Sequence, residues 1–278
     1  MTYKTILSVI GTDNYQSDLR AAADMCMMKG AHLTVLVVKL AAPPPLGDYA
    51  ATMSEAWFDE RERDLTELRK GVEGAKAVLA GTGVSFQVDS VYSEFAWADN
   101  EIGERARYAD LTLIGTGLAF NPELRSRTVN GALFNSGRPV LLVPKGRSAS
   151  LNPKKVLVAW NSHIEAARAV REALEPMSGA EIVHVTMVDP EGSPARNGEE
   201  PGADVAAYLA RHGINVTVDR LPGSGRRVEE VINQHALSIG ADLIVMGAYG
   251  HSRMRERIFG GVTKSMIDTA AAPVLMMH

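Results

Sequence analysis

The residues best suited to chemistry lie near the C-terminus, in GAYGHSRMRERIFGGVTKSM. Gly247 and Gly250 follow the apolar run ADLIVM, and Gly260 and Gly261 precede a stretch patterned as a helix. A glycine has no Cβ, so backbone there can approach a ligand closely. Free N–H groups at a helix N-terminus, reinforced by the helix dipole, attract anions. Arg253, Arg255 and Arg257 bring positive charge between the two glycine pairs, and His251 adds a ring donor beside Gly250. Val262 and Thr263 open the next element, with the Thr263 hydroxyl as a further oxygen near the cradle. This order (strand, Gly-x-x-Gly, basic loop, Gly-Gly, helix) suits a polyphosphate. The competing reading is a loop whose glycines only supply positive φ values.

A cradle of this kind needs a sheet to hold it. Open parallel sheets bind ligands beyond the C-terminal ends of their strands, where strand order reverses. The chain contains the parts of such a sheet twice over. KTILSVI from Lys4 is echoed by KKVLVAW from Lys154, and HLTVLVV from His32 by EIVHVTMV from Glu181. VSFQVDSV from Val84 pairs with INVTVDRL from Ile214, ADLTLIGTG from Ala109 with ADLIVMGAY from Ala241, and RPVLLVP from Arg138 with APVLMMH from Ala272. Matching runs in the same order mark a tandem duplication. The join falls near KGRSASLNPKK, where Gly, Ser and Pro cluster, giving domains at 1–146 and 152–278. Each run is short, nearly continuously apolar and bounded by Gly, Pro or Asp, as expected of strands covered on both faces. Between them lie helical patterns. SEAWFDERERDLTELRKGVEGAKAVLA puts Phe58, Leu65, Leu68, Val72, Ala75 and Leu79 on one face, and RVEEVINQHALSIG does the same for Val228, Val231, Ile232, His235 and Ile239 before a C-cap at Gly240. The fold class is α/β: two tandem five-stranded parallel-sheet domains. The second copy replaces part of one crossover with the polar stretch PEGSPARNGEEPG and the short helix ADVAAYLARHG.

Composition narrows the partners. A net charge of -4 over 278 residues gives no general attraction to nucleic acid or to an anionic membrane. No apolar run approaches the ~20 residues of a membrane-spanning helix, and the N-terminus lacks a signal-peptide cleavage pattern, so a cytoplasmic setting is expected. Cys26, the single cysteine, excludes an intrachain disulfide and sits in an apolar helical pattern as a packed thiol. Met246, Met266, Met276 and Met277 read as core. The histidines show no metal-ligand spacing, so no metal site is expected, and mid-strand His184 reads as a core residue. There is no P-loop lysine, complete dinucleotide fingerprint or nucleophile elbow. Nothing places a general base near a γ-phosphate, so no catalytic residue is assigned.

The spacing of Gly247, Gly250 and Gly260 resembles the ATP-binding signature of the universal stress protein family: Gly, two residues, Gly, nine residues, Gly, then Ser or Thr. The terminal strand APVLMMH is also similar, and the resemblance covers both halves. It implies a Rossmann-like fold of the adenine nucleotide alpha hydrolase type. It also implies ATP or another adenine nucleotide, with or without Mg2+, in the second half, serving a stress-response or signalling module with at most slow hydrolysis or autophosphorylation. The phosphates would lie on Gly247, Gly250, Gly260 and Gly261. The base would lie between the first two strand ends of that half, near Asn161 and Val188, with Trp160 either stacking on it or plugging the pocket. Two positions depart from the family: Gly261 replaces the Ser or Thr, and Asn161 stands where the first strand usually ends in Asp. In the first half Leu118 replaces the second glycine, Pro122 interrupts the loop and Gly131 comes late, so a degenerate site is expected there, with Asp13 as its counterpart acid. The family pairs fifth strands edge to edge, which implies that PVLLV and PVLMM pair within one chain as an internal pseudo-dimer, with a homodimer as a further step. The alternative function is a scaffold, or a binder of some other small ligand.

Overall fold

The structure is a computed structural model that describes residues 3–43, 55–190, 200–250 and 261–278. By their contacts these divide into two compact units, Tyr3–Arg138 and Pro139–His278.

The N-terminal unit runs β1 (Thr5–Ile10), α1 (Gln16–Lys29), β2 (His32–Ala41), α2 (Glu55–Leu79), β3 (Phe86–Glu94), α3 (Ala98–Ala106), β4 (Leu111–Ile114), a 3-10 turn (Thr116–Phe120) and α4 (Pro122–Phe134). Its strands are parallel in the order β3-β2-β1-β4. The C-terminal unit runs β5 (Val140–Leu142), β6 (Lys155–Ala159), α5 (Ile164–Glu172), α6 (Leu174–Ser178), β7 (Ile182–Val188), α7 (Ala203–Arg211), β8 (Val216–Leu221), α8 (Val228–Ile239), β9 (Leu243–Gly247), α9 (Gly261–Thr269) and β10 (Val274–Met277). Its strand order is β5-β10-β9-β6-β7-β8, parallel except where β5 meets β10. There Val140, Leu141 and Leu142 lie antiparallel to Met276, Leu275 and Val274. Because β5 takes its ladder from β10, the compact units divide just after Arg138, ahead of the Gly- and Pro-rich join.

The duplication is visible in hydrogen bonds as well as in letters. The Asp110 carboxylate accepts from the amides of Lys4 (2.8 Å) and Thr5 (3.0 Å), and its own amide donates to Thr5 O at 2.8 Å. Asp242 repeats this on Lys154 (2.9 Å) and Lys155 (3.0 Å), with its amide on Lys155 O at 2.8 Å. Each clasp fixes the register of the first and fourth strands of its half. It explains why the motif Ala-Asp precedes both fourth strands.

The central strands bury nearly everything: all of β4 and β10, and all but the first residue of β1. Each fully buried Val, Leu or Ile contributes about 1.5–3 kcal/mol relative to exposure, so these strands anchor both units. The four methionines expected in the core are at most 7 % exposed. Cys26 is fully buried, and burial pushes its thiol pKa up to about 12. One expectation fails in part. On α2 only Leu68, Ala75 and Leu79 of the predicted stripe are buried, while Phe58 (51 %) and Leu65 (39 %) remain exposed. Periodicity identified the correct face, but the N-terminal turns of the helix do not lie against the core. No described helix is long and apolar enough to cross a membrane.

Candidate functional site

In the C-terminal unit strand order reverses at β6, with β9 on one side and β7 on the other. Trp160 leaves β6 with its amide on Thr186 O at 2.9 Å, so Trp160 and Asn161 extend alongside Val188, the last residue of β7. Asn161 then turns the chain. Its Oδ1 accepts from the His163 amide at 3.1 Å and its Nδ2 lies 3.3 Å from His163 Nδ1. The side chain placed for a nucleoside therefore already serves its own turn. Ser162 takes a left-handed φ of 62° before α5 begins.

β9 delivers the glycines. Among the described glycines of this stretch, Gly247, Gly250 and Gly261, none has a positive φ; the left-handed residue is Tyr249, at 57°. The reading of these glycines as conformational hinges is thereby excluded, and each has a different environment. A Cβ on Gly247 would lie 2.5 Å from the Ala166 amide nitrogen and 2.7 Å from the Glu165 carbonyl carbon. That glycine is needed for α5 to pack on the strand. A Cβ on Gly250 would meet only side-chain tips, His163 Nδ1 at 3.2 Å and Glu165 Oε2 at 3.3 Å. A Cβ on Gly261 would meet nothing within 4 Å among the described residues. Among those residues neither position needs glycine for packing.

The two ends of the intervening loop are tied together. The Tyr249 amide donates to Thr263 Oγ1 at 3.1 Å, and Thr263 is buried on the first turn of α9, beside Gly261 and Val262. The Thr263 hydroxyl, expected as an oxygen near the cradle, accepts this hydrogen bond and keeps its own O–H for a further partner. Burial, with a smaller contribution from Asp268, pushes the Tyr249 phenol up to about 12. The structure thus brings Gly247, Gly250, Gly261, Val262 and Thr263 to one junction and Trp160, Asn161 and Val188 to the neighbouring strand ends. His251, Arg253 and Gly260 lie outside the described residues, as do Arg255 and Arg257.

The corresponding junction of the N-terminal unit is filled from within. Asn14 has a φ of 55°, matching Ser162, which sets Asp13 opposite Asn161 and Asp18 opposite Ala166. The Asp18 carboxylate, 7 % exposed, accepts from the Thr116 amide (3.0 Å), the Thr116 hydroxyl (3.0 Å) and the Gly117 amide (2.7 Å). A Cβ on Gly115 would lie 2.2 Å from its carboxyl carbon. The backbone donors that an anion would use after β4 therefore already hold one. A cleft of about 280 Å3 remains beside it, lined among others by Thr12, Asp13, Asn14, Lys39, Asn121 and Glu123. Lys39 is engaged by Glu67 (2.6 Å) and Asp64 (3.2 Å).

Residues 152–278 match the Universal stress protein family. The chain carries a universal stress protein domain. Over 67 residues it is 34 % identical to the universal stress protein Slr1230 of Synechocystis, an alignment spanning 24 % of this chain and only 22 % of that relative. The fold likeness extends much further. A universal stress protein from Archaeoglobus fulgidus DSM 4304 superposes with a TM-score of 0.62 at 21 % identity, covering 98 % of this chain and 95 % of the other. The functionally unknown protein PA1789 of Pseudomonas aeruginosa PAO1 gives 0.55 at 16 %, covering 99 % and 92 %. These two similarities show that both halves share the universal stress protein fold.

Sequence reasoning about this universal stress protein domain missed Glu165, whose carboxylate faces Gly250, and Asp18 in the preceding unit. Both are early helix residues that reach a loop far along the chain, and nothing local marks them. It also missed that His184 meets Asp219 and His235.

Proposed function

We propose that the universal stress protein domain of this chain binds an adenine nucleotide, ATP foremost, with its phosphates at the β9–α9 junction and its base near Trp160, Asn161 and Val188. The observation that carries this reading is the status of Gly250. Among the described residues neither conformation nor packing demands glycine there, yet it sits in the turn that follows β9, which the Tyr249 amide ties to Thr263 on the first turn of α9. Open backbone at the start of a helix, with no acidic residue in its first turn, suits a phosphate group. The Glu165 carboxylate near Gly250 calls for a cation between it and the phosphates, which favours the Mg2+ complex over free ATP. The N-terminal unit holds no second phosphate, because Asp18 already fills the equivalent donors. The resulting protein is a one-site nucleotide module of stress response or signalling in the cytoplasm, with hydrolysis slow at most. Fifth-strand pairing within one chain, the internal pseudo-dimer, is part of this reading on the family resemblance.

A second reading has its own observation. Asn161 spends its side chain on its own turn and Glu165 is acidic, so a ligand without phosphate would meet less repulsion. Calorimetry with MgATP, repeated with adenosine, separates the two. The first reading predicts MgATP binding that Gly250→Val removes. Binding of adenosine equal to that of MgATP supports the second.

A further inference from the structure

We propose that His184, Asp219 and His235 form a binding site for one divalent transition-metal ion, Zn2+ by its donor chemistry, away from the nucleotide junction. The three residues come from separate elements. In the β7–β8 register His184 pairs with Thr217 and Thr186 with Asp219. Alternation along strands then puts His184 and Asp219 on one face as diagonal neighbours. Helix α8 lies over that face and lowers His235 onto the pair.

The donor atoms converge on one point. His184 Nδ1 and His235 Nε2 each lie 2.7 Å from the same oxygen, Asp219 Oδ2, and the three ligand atoms are all within 4.8 Å of one another. The imidazole rings stand 6.0 Å apart at 80°, so their nitrogens approach the carboxylate from different directions. A tetrahedral zinc ion, with bonds of about 2.0–2.2 Å to nitrogen and oxygen, separates its ligand atoms by about 3.3 Å. Small side-chain rotations that open the two short contacts by roughly half an ångström make that space. Two imidazoles and a carboxylate are the borderline donor set that zinc accepts, and three protein ligands leave one position for water.

The electrostatics point the same way. Side-chain exposures of 15 %, 22 % and 17 % shield the cluster while leaving a solvent-facing side through which an ion can enter. Among the described residues no Lys or Arg pairs with Asp219. Its neighbour Arg220 is taken by Glu200 at 2.6 Å. Among the described residues the side-chain partners of this half-buried carboxylate are two imidazoles, which in the metal-free state must each turn an N–H toward one oxygen. The same two nitrogens, deprotonated, become ligands without any movement of the backbone. A bound ion would clamp β8 to β7 and to α8.

The test uses tag-free, full-length protein stripped with chelator, titrated with ZnCl2 by calorimetry and with CoCl2 by visible absorption. One ion per chain is expected, with the d–d spectrum of four-coordinate Co2+. His184→Ala and His235→Ala should each weaken binding by at least about tenfold, since even residues supporting a metal ligand commonly cost that much. Asp219→Asn keeps the shape and a hydrogen-bond acceptor but removes the ligand charge. It should abolish the rise in melting temperature that Zn2+ gives the wild type. Absence of binding, or stoichiometric binding undiminished in the His184→Gln/His235→Gln double variant, overturns the proposal. So does a zinc-dependent melting shift retained by Asp219→Asn. Nucleotide binding at the β9–α9 junction is independent of either result.

Discussion

Replacing Gly247 by Ala separates packing from ligand binding within one motif. The added Cβ would start 2.5 Å from the Ala166 amide nitrogen, 2.7 Å from the Glu165 carbonyl carbon and 2.9 Å from Glu165 Cβ. Two of these are backbone atoms of α5, so no rotamer change relieves the clash; the helix must retreat from β9 by roughly 1 Å to restore ordinary contact. Overpacking of this kind costs about 1–3 kcal/mol. For a unit of this size that corresponds to a fall in melting temperature of about 3–10 °C. Gly250→Ala is the matched control. Its Cβ meets only the tips of His163 and Glu165, at 3.2 and 3.3 Å, which can swing away. Its stability cost should stay within about 0.5 kcal/mol, while MgATP affinity falls. Urea unfolding of both variants, read by circular dichroism with and without MgATP, measures the two quantities together. Equal stability losses, or a Gly247→Ala cost below about 0.5 kcal/mol, would refute the assignment of Gly247 to packing.

Three further outcomes follow from the same geometry. Asp18→Ala strips three hydrogen bonds from the Thr116–Gly117 turn and leaves part-buried donors unpaired; it should destabilise the N-terminal unit by about 1–3 kcal/mol in urea titration without changing MgATP affinity. Native Cys26, buried with its thiol pushed up to about 12, should resist a disulfide-exchange reagent such as DTNB and react fully once unfolded. Burial works to raise the Asp219 carboxyl, but hydrogen bonds from His235 and His184 outweigh it and hold it below its usual range. Its folded pKa lies below the unfolded value of about 3.9, so its contribution is full above that pH and fades as pH falls through the folded value. Melting temperatures of wild type and Asp219→Asn, measured without metal, should therefore converge below about pH 4.

The fold was largely legible in the sequence, since near-continuous apolar runs repeated in order identify covered parallel strands and their duplication. Even the Asp110 and Asp242 clasps were printed in it, as the Ala-Asp preceding each fourth strand. What could not be read was where a correct pattern stops mattering: Phe58 and Leu65 obey the helical period but lie beyond the packed part of α2. The site shows the same division. Spacing located Gly247, Gly250 and Gly260 and marked Gly261 as a departure, but only distances separate Gly247, which α5 requires, from Gly250, which the described residues leave open. Asp18 reaches Thr116 across the length of a domain. Asp219 lies far in sequence from His184 and on a different element from His235. Contacts of that kind are set by the register of strands and the seating of a helix over them, which residue periodicity does not encode.

Calorimetric titration of the full chain with MgATP, run beside Gly250→Val, decides whether the β9–α9 junction holds a nucleotide. One-site binding requires one nucleotide per chain, lost in the variant while its melting temperature without ligand is preserved. Two equivalent nucleotides per chain, or no heat at millimolar MgATP from a folded wild-type protein, would contradict it.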